Sequence, residues 1–275
     1  MRGRGFVVIG QGNDAEAIRP GLLFAVRDGV ALVTIDRPSA RNALNLEIVR
    51  GLADAAGRVK DDPTIGAVVV TGSGTHFSAG ADISAARSVE VEAGARQFIR
   101  EFQTGFRLFT GVPKPVVAAV EGFALGGGCE LALWCDLRVL SETAVLGVPE
   151  IKIGALPAAG GTQLLPRLLG RGMALEMLLT GESITADRAL ALGLTSRVVP
   201  AGLALESALQ LASKLAAMPP LAVAAMKRAV EAAWLPLDQA MEVELRLGAE
   251  LFATEDRREG MTAFLEKRSP MFHGR

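Results

Sequence analysis

The chain has 275 residues, half of them apolar, which is enough to bury one large core or a core with a small appended domain. Its 29 lysines and arginines nearly balance its 30 aspartates and glutamates, which excludes an overall field that would draw it to nucleic acid or to an acidic membrane surface. Its two cysteines, Cys129 and Cys135, match neither a zinc site nor a secreted disulfide framework, and they favour a reducing, cytoplasmic setting.

The first predicted elements are an extension and a β-hairpin. Residues 1–20 lack the apolar segment of a signal peptide and the acid-free composition of an organelle presequence, and we expect them to form a loose extension. Alternating apolar residues at 22–27 and 30–36, separated by Asp28 and Gly29, predict two antiparallel strands joined by a tight turn.

Strands and helices alternate over the next part of the chain. Strands are predicted at 66–71, 115–120, 137–140 and 144–148. Helices are predicted at 46–59, at about 89–109 and from Gly127 onward. The apolar stretch 115–135 is interrupted by Glu121, Glu130 and several glycines, so we expect no membrane span. The alternation indicates a layered α/β core with crossover connections.

Helical periodicity dominates the chain beyond residue 160. It recurs at 161–169, 174–179, 186–192, 203–217, 221–235, 241–251 and 256–267, and only 195–199 is expected to be extended. We therefore divide the chain into the extension at 1–20, a core at 21–200 and a helical oligomerisation region at 201–275. The last helices carry many apolar positions, and such helices often pack on another subunit.

Two predicted strand-to-helix junctions are rich in small residues. One contains the sequence SAGAD at 78–82 and the other contains LGGG at 125–128. Backbone N–H groups at such junctions are free to approach an anionic oxygen closely, and one amide from each junction would suffice for an oxyanion hole. Glu130 follows the second junction, and Glu150 lies twenty residues further on. Two glycine-rich junctions and two carboxylates predict an active site.

Six ordered motifs together resemble the enoyl-CoA hydratase/isomerase superfamily, also called the crotonase superfamily, and are most similar to enoyl-CoA hydratase. They are DRPSARNAL at 36–44, FSAGAD at 77–82, ALGGGCE at 124–130, PEIKIG at 149–154, AGGTQ at 159–163 and DRREGM at 256–261. The resemblance covers about residues 22–272. It implies an α/β fold with a crotonase-type spiral of ββα units and a C-terminal helical trimerisation region, assembled as a homotrimer or a dimer of trimers.

The resemblance also implies a reaction. An acyl-CoA thioester would place its carbonyl oxygen on the N–H groups of Ala81 and Gly127, which stabilise the enolate that forms during hydration of a trans-2-enoyl-CoA to a 3-hydroxyacyl-CoA. Glu130 would act mainly on the water and Glu150 mainly on the C2 proton. Because Glu130 lies near a helix N-terminus, we expect it to be the more readily ionised of the two. No metal is implied, and coenzyme A enters only as part of the substrate.

Other residues are expected to contact the substrate or its CoA portion. They are Ala40, Arg41, Ala79, Asp82, Ile83, Gly126, Pro149, Ala158 and Lys267. For Arg41 the alternative is a cap of a solvated loop in place of a contact with a CoA phosphate. Ala158 departs from the glycine of many hydratases, whose amide helps to hold the water, and its methyl group could alter the pocket or demand a different backbone dihedral. His76 and His273 have no partners for a catalytic triad, and we interpret Trp134 and Trp234 as packing residues.

Two alternatives remain open from the sequence. A double-bond isomerase of the same fold would move a proton between carbons using chiefly Glu150. A non-catalytic homologue that binds CoA or RNA belongs to a different functional class, against which the two glutamates and the balanced charge argue.

Overall fold

The computed structural model of this chain describes residues 15–87 and 91–275. The strands in chain order are β1 (Glu16–Arg19), β2 (Leu22–Arg27), β3 (Val30–Ile35), β4 (Ala67–Gly72), β5 (Val116–Val120), β6 (Phe123–Leu125), β7 (Leu137–Ser141), β8 (Val145–Gly147), β9 (Ile184–Thr185) and β10 (Val198–Val199). The helices are α1 (Leu46–Asp61), α2 (Ile83–Arg87), α3 (Glu92–Thr110), α4 (Gly127–Trp134), α5 (Gly161–Leu169), α6 (Arg171–Thr180), α7 (Ala186–Ala191), α8 (Ala204–Ala216), α9 (Pro220–Ala232), α10 (Leu237–Phe252) and α11 (Glu255–Glu266).

A mixed seven-stranded sheet organises the core. Its strand order is β1-β2-β3-β4-β5-β7-β10, in which β2 is antiparallel to both β1 and β3 and the remaining neighbours are parallel. The parallel strands need crossover connections, and helices such as α1 and α3 provide them. Every residue of β5 is buried, as expected for a central parallel strand covered on both faces.

The two faces of this sheet pack against different helices. Side chains such as Val33, Val70 and Val120 point into the larger apolar cluster, which includes residues of α1, α3 and α4. The alternate side chains, such as Val69 and Val117, pack against α8. The helix α8 lies within 201–275, the range expected to serve oligomerisation, but it covers the central sheet and belongs to the core.

A small second sheet and two isolated bridges lie around the glycine-rich junctions. Its order is β6-β8-β9, with β6 parallel to β8 and β8 antiparallel to β9. Isolated parallel bridges join Ser78 to Ala124 and Leu44 to Ala81. These short pairings bring three loops that are distant in the sequence to one place.

The structure confirms the mixed α/β fold and differs from the prediction at particular elements. Residues 1–14 of the expected extension lie outside the described residues, but Glu16–Arg19 forms an edge strand that pairs with β2. Residues 89 and 90 of the predicted helix also lie outside them, and that helix runs over Glu92–Thr110. The expectation of a single extended segment after residue 160 is wrong, because Ile184–Thr185 pairs with β8.

Among the helices of the described residues, no single one is long and apolar enough to cross a membrane. The helices α8 and α9 reach that length and composition only as a pair bent by 109°.

Candidate active site

The second glycine-rich junction links β6 to the start of α4. Gly126 has a φ of +49°, and a methyl group there would lie 2.9 Å from Oε1 of Glu150, so only glycine fits. Its N–H donates to the carbonyl of Gly147 at 2.9 Å. Gly127 is the first residue of α4, and an N–H at this position has no partner within its own helix.

The two junctions lie side by side. Ser78 N donates to the carbonyl of Phe123 at 2.8 Å, and Leu125 N donates to the carbonyl of Ser78 at 2.9 Å. Gly80, with a φ of +105°, allows the close approach, because a methyl group there would lie 2.9 Å from the Leu125 carbonyl oxygen and 3.5 Å from Gly127 N.

The backbone ladder orients the amide of Ala81. Leu44 N donates to the carbonyl of Gly80, and Asp82 N donates to the carbonyl of Leu44, both at 2.8 Å. In this parallel pattern the N–H of Ala81 itself points away from Leu44. A methyl group on Gly127 would lie 3.4 Å from Ala81 N, so the two amides border the same small space. A carbonyl oxygen in that space could accept hydrogen bonds from both.

Glu130 lies in the first turn of α4 and is only 3% exposed. Its Oε1 accepts hydrogen bonds from Ala159 N and Gly161 N, both at 2.8 Å. Burial, with a smaller contribution from the charge of Glu150, raises the pKa of Glu130 to about 7, although the loop amides oppose the shift. The expectation that Glu130 is the more readily ionised of the two rested on the helix N-terminus, and burial acts against ionisation of both carboxyls. At this pKa the carboxyl group exchanges a proton readily near neutral pH.

Glu150 lies in a 3-10 turn, Pro149–Ile153, directly after β8. Its Oε1 faces Gly126, and its Oε2 is buried without a hydrogen-bond partner among the described residues. Burial raises the pKa of Glu150 as well. A buried carboxyl oxygen without a partner is costly unless it is protonated or meets a ligand, so this residue is suited to carry a proton.

The loop that binds Glu130 is held from two helices. Trp134 Nε1 donates to the carbonyl of Ala159 at 2.7 Å, and Gln103 Nε2 donates to the carbonyl of Ala158 at 2.7 Å. Trp134 therefore makes a specific polar contact besides packing. Ala158 is not among the residues with positive φ, so its methyl group requires no unusual dihedral at this position.

The loop expected to contact CoA is fixed by buried polar groups. Asn42 is fully buried, accepts from Arg37 N at 3.0 Å, and donates to the carbonyls of Ser73 and His76 at 2.9 and 2.7 Å. Arg37 forms a 3.0 Å ion pair with Asp82, which ties the loop to the first oxyanion segment. Asp82 thus has a structural partner in addition to its expected place beside the substrate.

The remaining expected contact residues differ in exposure. Ala40, Ala79 and Pro149 are half-buried. Arg41 is exposed, and its carbonyl accepts from Ala79 N at 2.9 Å. Ile83 is 66% exposed.

Lys267 lies at the left-handed C-terminal cap of α11. None of the hydrogen bonds or ion pairs found among the described residues joins it to the site.

Several other expectations can be compared with the structure. His76 is locally hydrogen-bonded, because its Nδ1 accepts from Phe123 N and its ring stacks on that phenyl group. Trp234 is 61% exposed and lies against Arg167, so its interpretation as a packing residue is wrong. Within the described part of the chain, no cluster of three or more His, Cys, Asp or Glu side chains could hold a metal ion.

Sequence reasoning missed the roles of Asn42, Gln103 and Trp134. The residue type of Asn42 was one available signal, because asparagine tolerates a left-handed backbone. The structure shows that conformation there, with a φ of +58°. Trp134 follows Glu130 by four residues and therefore shares its helix face, and a buried indole N–H usually needs an acceptor. No local pattern identifies the acceptor itself.

Comparisons with known proteins agree on one family. A family model described as enoyl-CoA hydratase/isomerase matches residues 25–275. The 2,3-dehydroadipyl-CoA hydratase of Escherichia coli (strain K12) is 44% identical over 92% of this chain and 99% of that protein. The crotonyl-CoA hydratase of Syntrophomonas wolfei is 42% identical over 91% of this chain and 97% of that protein. A crystal structure of enoyl-CoA hydratase from Bacillus anthracis superposes with a TM-score of 0.88 at 35% identity, covering 93% of this chain and 100% of that chain.

Proposed function

Because the chain belongs to the enoyl-CoA hydratase/isomerase family, we propose that it is an enoyl-CoA hydratase that converts a trans-2-enoyl-CoA to a 3-hydroxyacyl-CoA. The observation that carries the proposal is the juxtaposition of Glu130 and Glu150, both with raised pKa, beside the paired amides of Ala81 and Gly127. The reaction moves only water and protons, so it needs no cofactor apart from the CoA portion of the substrate.

In the proposed reaction the thioester oxygen accepts hydrogen bonds from Ala81 N and Gly127 N. Ionised Glu130 takes a proton from water as the water oxygen bonds to C3, and the electron pair of the double bond moves toward the thioester oxygen. Protonated Glu150 then delivers a proton to C2, which restores the carbonyl. Return of the proton from Glu130 to Glu150, directly or through solvent, completes the cycle. The pKa of about 7 supports a Glu130 that can be ionised before the step and protonated after it near neutral pH, and the buried, unpartnered Oε2 supports a proton on Glu150.

Loss of the conjugated thioester absorbance tests this function with crotonyl-CoA and longer trans-2-enoyl-CoAs. We expect turnover by the natural sequence, and a loss of at least about 100-fold in kcat for Glu130→Gln and for Glu150→Gln. Glu176→Gln is the matched control, because Glu176 is exposed on α6. If the absorbance does not decay with a substrate of any chain length, the proposal is refuted. Near-native turnover in either glutamine variant would show that the replaced glutamate does not have the proposed role.

The same variants separate hydration from isomerisation. If the protein were an isomerase that relies on Glu150, the Glu130→Gln variant would still convert a 3-enoyl-CoA to its 2-enoyl isomer. The absorbance of the conjugated thioester would then rise. The two amides on Oε1 of Glu130 favour hydration, because they orient its carboxylate as a defined base.

We further propose a homotrimer or a dimer of trimers that works in the cytoplasm. Large apolar side chains stay exposed on the last three helices of the single chain, among them Val230, Leu245, Phe264 and Leu265. An exposed apolar surface of this kind is typical of a subunit interface. The two cysteines are both buried free thiols, in keeping with a reducing compartment.

A further inference from the structure

Trp134 contacts Ala159, and Ala159 in turn contacts Glu130. Ala159 makes two hydrogen bonds to α4, since its N–H donates to Oε1 of Glu130 at 2.8 Å and its carbonyl accepts from Nε1 of Trp134 at 2.7 Å. Glu130 and Trp134 are four residues apart and therefore lie on one face of that helix. A single residue of the loop is thus held at both of its polar groups by the helix that carries the carboxylate.

Gln103 also holds the loop, through the carbonyl of Ala158, but the indole of Trp134 contacts the backbone next to both amides. Gly160 has a φ of +132°, a conformation that other residues rarely adopt, and a methyl group there would lie 2.5 Å from Nε1 of Trp134. The indole therefore packs directly on the backbone between the two amides that bind Glu130. Movement of the ring would move Ala159 N and Gly161 N together.

These amides determine how far burial raises the pKa of Glu130. Hydrogen bonds to the ionised form favour it, and they oppose the larger effect of burial. A carboxylate that lost one or both amides would hold its proton to higher pH and would be less well oriented toward a water.

We propose that Trp134 is a positioning residue that sets the orientation and the proton affinity of Glu130 through the Ala159–Gly161 backbone. This inference rests on the proposed hydratase function only for its kinetic readout. Loss of the indole N–H is expected to raise the proton affinity of Glu130, so the acidic limb of the rate profile moves to higher pH.

The first test compares pH profiles of crotonyl-CoA hydration for the natural sequence, Trp134→Phe and Trp234→Phe. Trp134→Phe is expected to shift the acidic limb upward by about 0.5–1 pH unit and to lower kcat roughly 3- to 10-fold, with KM changed less than about twofold. The matched control Trp234→Phe should follow the natural profile, because Trp234 is exposed on the surface. The proposal is overturned if Trp134→Phe is folded and has the same pH profile and kcat as Trp234→Phe.

The second test requires no change at Trp134. Because the chain has two tryptophans, Trp234→Phe leaves Trp134 as the sole fluorophore. Its emission is expected to titrate near pH 7 and to lose that transition when Glu130→Gln is added. Emission that is flat between pH 5 and 9 overturns the coupling, whether or not Trp134→Phe folds. If the natural sequence does not hydrate any substrate, the hydratase function is refuted. The pH titration of Trp134 emission still tests the coupling between Trp134 and Glu130 in that case.

Discussion

Adjacent glycines in α4 meet different surroundings although they share a helix turn. A methyl group on Gly127 would make only ordinary contacts, 3.7 Å from Leu44 and 3.8 Å from Phe102, but it would enter the space in front of Ala81 N. A methyl group on Gly128 would lie 2.6 Å from Cβ of Ser78. The first position therefore tests the oxyanion hole, and the second tests packing.

We expect Gly127→Ala to fold with near-native stability and to lose about 100-fold or more in kcat, because its methyl group displaces the thioester oxygen. Gly128→Ala is expected to lose stability, because Ser78 and the backbone that pairs with β6 must move. Urea unfolding and the crotonyl-CoA assay on both variants separate the two effects. Near-native turnover by Gly127→Ala would contradict the placement of the oxyanion hole.

The raised pKa of Glu130 also affects stability. Its folded value of about 7 exceeds its ordinary value of 4.5, so the folded state binds the proton more tightly than the unfolded state. This contribution is fully present below about pH 4.5 and is lost as pH rises through 7, which amounts to roughly 3 kcal/mol. Glu130→Gln should lack that loss.

Urea unfolding at pH 5 and pH 8 measures the difference. The free energy of unfolding of Glu130→Gln, relative to the natural sequence, is expected to rise by about 2–3 kcal/mol between these values. Glu176→Gln should show no such rise. A constant difference for Glu130→Gln would mean that the folded pKa is not raised.

At the scale of elements, the loop between β3 and α1 depends on one buried side chain. Asn42 satisfies the backbone N–H of Arg37 and the carbonyls of Ser73 and His76. Unpaired buried groups of this kind cost about 1–3 kcal/mol each. We expect Asn42→Ala to lower the free energy of unfolding by several kcal/mol, measured with urea.

Asn42→Gly is the control for the left-handed backbone at this position, where φ is +58°. It removes the same hydrogen bonds without the strain of a Cβ, so it should be more stable than Asn42→Ala by about 1 kcal/mol. Native stability in the glycine variant would show that the three hydrogen bonds contribute nothing.

Elements with a local signal were predictable, and those made by distant pairing were not. The hairpin has alternating apolar residues around Asp28 and Gly29, and the helix Gly161–Leu169 has a complete apolar period. The strands Glu16–Arg19 and Ile184–Thr185 are short, and their partners across the sheet define them. In the site, the glycines and glutamates stand out by residue type, whereas the anchoring of Ala159 by Trp134 depends on how a loop meets a helix.

At the scale of the whole molecule, the last helices provide a test of assembly. Phe264 and Leu265 are 83% and 79% exposed in the single chain. We expect light scattering to give three or six chain masses for the natural sequence, and a smaller assembly for Phe264→Asp combined with Leu265→Asp. Leu179→Asp is the control on α6, where the leucine is 67% exposed. A natural sequence that is monomeric would refute the proposed trimer.

The position of α8 on the far face of the sheet has a consequence during synthesis. Strands β3, β4 and β5 leave the ribosome long before Ala204–Ala216, the segment that covers their side chains Val69 and Val117. Until that helix has emerged, a nascent chain presents a bare aliphatic surface to chaperones and to other unfinished chains. Ribosome-bound intermediates that end near residue 200 should therefore bind a holdase chaperone strongly, and release should follow once residue 216 has cleared the exit tunnel.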